Sequence, residues 1–81
     1  MLAELRDVAA ARRDARQHIA DLTAKHGRRS PEHATAWIAY RAVNDHWAGL
    51  IRRAAAAGHS LADIARAAGC ARPSLYRHLH G

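Results

Sequence analysis

Phenylalanine is absent from this 81-residue chain, which holds only two tryptophans and two tyrosines. Alanine is the commonest residue and large apolar side chains are few. A chain this short buries a modest share of its surface. Its core is poorer still, so association with another chain is expected to supply the missing burial. A single cysteine, Cys70, excludes an internal disulfide. β-branched and aromatic residues never cluster, so no strand is readable. No apolar run of about 18 residues occurs, which excludes a membrane span. Glu4, Arg6 and Asp7 interrupt the start, so no signal peptide is expected.

Recognisable catalytic chemistry is missing as well. Asp7, Asp14 and Asp21 recur every seven residues, which puts them on one solvated helix face among arginines rather than in a cleft. There is no metalloprotease helix motif, no glycine-rich phosphate loop and no nucleophile with a nearby base. The chain is expected not to be an enzyme. Its seven histidines raise the question of a metal, and His78 and His80 lie close to Cys70 in sequence. A structural zinc site needs four ligands at tight spacing, commonly with cysteine pairs. One cysteine does not meet that need, so no metal and no cofactor are expected.

What the chain does have is helical punctuation. Apolar positions Leu5, Val8, Ala15, Ile19 and Leu22 predict a first helix from about residue 2 to 25, its stripe broken at Arg12. Asp21 and Lys25 stand four apart in the favourable order for a pair. His26 and Gly27 stop that helix, and Arg28 and Arg29 form a basic loop. Ser30, Pro31 and Glu32 supply a cap, a first-position proline and a first-turn acid for a second helix, which runs to about Ala57. Its stripe reads Tyr40, Val43, Trp47, Leu50, Ala54 and Ala57, leaving Trp37, Ile38 and Ile51 off it. A helix with so wide an apolar surface needs several packing partners. Both tryptophans are read as core or dimer packing rather than as base-stacking platforms. The short loop favours an antiparallel hairpin.

The last third, Gly58 to Leu79, carries the most specific pattern. Ser60 caps a short helix from about Leu61 to Ala68, with Asp63 at the capping-box position. Leu61, Ile64, Ala65 and Ala68 form its buried face. Gly69 suits the left-handed turn that ends it. Pro73 belongs in a first helical turn, which starts the final helix near Ala71 or Arg72. That helix, over 71–79, buries Leu75 and Leu79 and turns Arg72, Ser74, Tyr76 and Arg77 outward. Trp47, Leu50 and Ile51 are expected to pack onto Leu61, Ile64 and Leu75. Two helices joined by such a turn place the second in the DNA major groove.

The shared residues Ile64-Ala65, Ala68-Gly69-Cys70 and Ser74-Leu75-Tyr76-Arg77 make the segment resemble the helix-turn-helix of serine resolvases and DNA invertases. It also resembles the N-terminal DNA-binding domain of tetracycline-repressor-type regulators. The resemblance covers residues 58–79 only. It implies that Arg77 reads or clamps DNA, that Tyr76 touches a phosphate, and that Arg72 to Ser74 face bases or backbone. Ala71 stands where Ser or Thr is common, and Pro73 brings no donor to a position near the bases. The recombinase activity is not implied, because that chemistry belongs to a separate catalytic domain.

The expected fold is therefore all-α: a hairpin over 1–57 for dimerisation and packing, then a helix-turn-helix over 58–81, within one domain. The formal net charge of +6 suits a polyanion. The expected function is sequence-specific binding of double-stranded DNA by a homodimer acting as a transcriptional regulator, cytoplasmic and nucleoid-associated. The candidate contact residues are Ser60, Arg72, Pro73, Ser74, Tyr76, Arg77 and His78. Arg28, Arg29, Arg52 and Arg53 are further phosphate candidates, each equally readable as solvated. No inducer pocket or other small-molecule site is readable. Two alternatives stand: a low-specificity nucleoid or recombination accessory factor, and a helical protein–protein adaptor.

Overall fold

The computed structural model describes residues 1–80; Gly81, the last residue of the expected 58–81 segment, lies outside the described residues. Four helices follow in order: α1 (Leu2–His26), α2 (Pro31–Ala56), α3 (Leu61–Ala68) and α4 (Arg72–His80). No strand occurs among the described residues, so the all-α expectation holds.

Local chemistry accounts for the helix ends. The Ser30 hydroxyl accepts the His33 backbone N–H at 3.1 Å, and Pro31 opens α2. The Ser60 hydroxyl accepts the Asp63 N–H at 3.1 Å in the same way. Each satisfies a donor that the first turn otherwise leaves unpaired. The Asp63 carboxylate returns no bond to Ser60. It faces Arg66 one turn on, at 3.7 Å, so half of the expected capping box is missing. Gly69 ends α3 in the left-handed conformation (φ +69°), and its N–H donates to the Ala65 carbonyl at 2.9 Å. The second helix stops at Ala56, one residue early, and Ala57 is exposed rather than part of the stripe. Asp21 accepts from the Gln17 amide at 3.0 Å and makes no ion pair with Lys25.

Helices α1 and α2 run antiparallel. Arg12 meets Asn44 near their middle, while His18 and Leu22 lie beside Pro31 and Ala36 toward the loop. The core sits at the other end. Leu5 and Ala9 of α1 join Trp47, Ala48, Leu50, Ile51 and Ala54 of α2, Ile64, Ala67 and Ala68 of α3, and Leu75 of α4 in one buried cluster. The expected partners of Trp47, Leu50 and Ile51 are thus present, with Leu61 packed at the edge. Each fully buried Leu or Ile contributes about 1.5–3 kcal/mol relative to exposure. The alanines supply little area but let the helices approach closely.

Ile51 lies off the stripe of α2 yet is fully buried, as its expected packing onto Leu61, Ile64 and Leu75 requires, and Ala67 joins the core although its position was not anticipated. Arg12, expected to break the first stripe, lies within the α1–α2 seam. Its Nε donates to the Asn44 carboxamide oxygen at 2.8 Å, and its guanidinium lies 4.1 Å from the centre of the Trp47 ring. A planar guanidinium on an indole face is a favourable contact, so the charge does not interrupt the packing.

Candidate nucleic-acid interface

Trp47 ties all four helices together at the point where α4 leaves the core. It is 1% exposed, and its indole N–H donates to the Ala68 carbonyl at the end of α3, at 3.0 Å. Arg12 of α1 covers one side of its ring. The His78 ring of α4 meets it edge-on, with centroids 4.8 Å apart and planes at 88°. Together with buried Leu75, this contact fixes the rotation of α4 about its own axis.

That rotation decides which α4 residues reach solvent. Arg72, Pro73, Tyr76 and Arg77 are exposed, and Ser74 is half-buried. Arg77 Nη2 donates to the Ser74 hydroxyl at 3.1 Å, which holds the guanidinium along the helix. The Tyr76 ring lies against His80, with centroids 6.1 Å apart. Four of the seven sequence candidates therefore share one exposed helix with Ser74 beside them. His78 is turned inward onto Trp47. Burial pushes its pKa below the ordinary 6.5, and the Arg12, Arg52 and Arg77 charges push it the same way. Ser60 lies apart at the start of α3, with its oxygen occupied as a cap.

Beside α4 runs a groove of about 450 Å³ that sequence reasoning missed. Arg12 and Arg16 of α1 form one wall, Ser74, Arg77 and His78 the other, and Trp47 and Cys70 the floor. Among the described residues three arginines and no carboxylate line it, so it attracts anions. Arg13 stands at the adjoining turn, where its Nη1 lies 3.1 Å from the position of a Cβ on Gly69. The available signal was the Arg12-Arg13 pair interrupting an apolar stripe, with Arg16 one turn on. Its meaning required the α1–α2 register. Burial pushes the Cys70 thiol above its ordinary pKa while Arg12 opposes that shift, so at neutral pH the thiol is protonated and a weak nucleophile.

Among the described residues no three His, Cys, Asp or Glu side chains gather in a metal-holding group, and no helix is long and apolar enough to cross a membrane. Comparison with family models, curated proteins and solved structures finds no match to this chain.

Proposed function

We propose that this chain binds double-stranded DNA sequence-specifically, as a dimeric transcriptional regulator that lays α4 in the major groove. One observation carries the reading. A short helix, anchored by Leu75 and His78, presents Arg72, Tyr76 and Arg77 to solvent beside a groove walled by Arg12 and Arg16. The sharp Gly69 turn between α3 and α4 supports a helix-turn-helix, with α1 and α2 as the hairpin that holds it.

In this reading Arg77 and Arg72 contact guanine edges or phosphates, as the guanidinium fork allows. Ser74 and Tyr76 hold the backbone register. Arg77 exchanges its Ser74 bond for a DNA acceptor on docking. Arg12, Arg13 and Arg16 stand where a phosphate strand beside the groove would pass, and they supply sequence-independent attraction. His78 orients α4 rather than reaching outward, and Ser60 contributes as the cap of the supporting helix. The protein works in the cytoplasm at the nucleoid, with no cofactor.

Selection of bound duplexes from a random pool at physiological salt, with wild type and Arg77→Ala side by side, tests this. An enriched inverted repeat that the variant loses supports the regulator. Retention without enrichment indicates an architectural DNA binder. Enrichment indifferent to Arg77 removes α4 as the reader. No retention at all leaves a protein–protein adaptor.

A further inference from the structure

The fold is elongated, and its surface is large for its mass. The radius of gyration is 14.0 Å and the extents are 43 × 24 × 18 Å. A compact domain of this length has a radius of gyration of about 11.7 Å. The accessible surface is 5408 Å². A folded monomer of 8.9 kDa exposes about 4,800 Å². The surplus of about 600 Å² approaches the roughly 800 Å² that each partner buries in a standard interface.

Two large exposed apolar side chains lie along the half of the α1–α2 pair that α3 and α4 do not reach. Ile38 is 72% exposed and Trp37 45% exposed, flanked by Ala34 and Arg41 on the same side of α2. Pro31, Ile38 and Asp45 stand seven residues apart, which places them on one exposed stripe of α2. Asp45 is exposed and has no ion-pair partner among the described residues. At the opposite end of the stripe, exposed Arg28 and Arg29 are likewise unpaired among the described residues.

We infer that this face, centred on Ile38, docks a second copy of the chain with the two α2 helices antiparallel about a two-fold axis. The proposal rests on the proposed function only for its two-fold; its evidence lies at the other end of the molecule from α4. At 1.5 Å per residue, Asp45 lies about 10.5 Å to one side of Ile38 and Pro31 the same distance to the other. The two-fold therefore brings Asp45 opposite the start of the second copy's α2. There it meets the positive end of the helix and the Arg28-Arg29 loop, against the opposing charge of Glu32 in the same first turn. Ile38 closes on its own image with Arg41 of each copy at its side, and one such charge match lies at each end. An acidic partner would face Asp45 and a basic partner would face the arginines. The stripe is complementary to its own image.

Sedimentation of the full chain across the micromolar range tests this, with far-ultraviolet circular dichroism as the control for folding. Wild type should sediment as a dimer. Ile38→Glu changes a solvent-facing side chain, so helicity should be kept while dimer affinity falls about tenfold or more. Asp45→Arg should weaken the dimer, and adding Arg28→Asp and Arg29→Asp to the same chain should restore it. A wild-type monomer throughout overturns the proposal, as does a dimer indifferent to Ile38→Glu or a charge reversal that weakens further instead of restoring. Arg77→Ala run alongside separates the two readings, because it should abolish DNA selection and leave the dimer intact.

Discussion

Replacing Trp47 by Phe tests whether one side chain holds α4 in place. The substitution removes the indole N–H and leaves the Ala68 carbonyl without its 3.0 Å partner. Stranding a buried acceptor costs about 1–3 kcal/mol. The smaller ring also leaves a void beside His78 and weakens the Arg12 stack, adding about 1 kcal/mol. The expected loss is about 2–4 kcal/mol. A domain of this length has a total stability of about 4–12 kcal/mol. The loss corresponds to a fall in Tm on the order of 10–30 °C. Trp37→Phe is the internal control. Trp37 is half-exposed and touches Tyr40 edge-on with centroids 5.3 Å apart. That change should stay within about 0.5 kcal/mol of wild type. Urea unfolding followed by ellipticity measures both. A Trp47→Phe protein within about 1 kcal/mol of wild type, or a Trp37→Phe protein damaged as badly, refutes the reasoning.

Gly69→Ala should destabilise by about 1 kcal/mol, because its φ of +69° disfavours a Cβ; the side-chain tip of Arg13, 3.1 Å away, can shift. A urea midpoint equal to or above wild type would contradict the strain assigned to the turn. His78 should make stability fall with acid. Its pKa lies below 6.5 in the fold, so the unfolded chain takes up the proton first. The contribution is complete above about pH 6.5 and is lost as pH falls through the depressed value. His78→Phe keeps the ring against Trp47, and its urea midpoint should decline less between pH 7.5 and 5 than that of wild type. Arg16→Ala should leave stability within about 0.5 kcal/mol and lower the salt slope of DNA binding by about one unit. Arg12→Lys keeps the charge but loses the Asn44 bond and the planar stack, so it should cost about 1–2 kcal/mol in urea unfolding.

Helix ends were legible because their signals are local. Ser30 with Pro31, Ser60, Gly27 and Gly69 each act on their own turn, and no distant residue changes what they do. Faces were less legible. The stripe read from Tyr40 to Ala57 follows a heptad-like alternation, whereas a straight helix drifts by about 20° per heptad. Over 26 residues that drift is enough to leave Ala57 outside the core. Trp37 and Ile38 sit where no third helix reaches, and that depends on where α3 and α4 dock. Nothing within α2 records it.

Arg12 marks the deeper limit of a one-dimensional reading. As a residue in a stripe it is a charge in the wrong place. In the fold it is a flat, half-buried lid on the residue that joins the four helices, and it also forms a wall of the basic groove. The two roles are compatible because a guanidinium stacks through its face and donates through its edge. Core and candidate interface are therefore not separable layers in this small chain. Trp47 is both the centre of the first and the floor of the second. A substitution at Arg12 that weakens DNA binding is uninformative unless stability is measured beside it. Arg16 and Arg77, which line the same groove from exposed positions, are where charge can be removed with least disturbance to the fold.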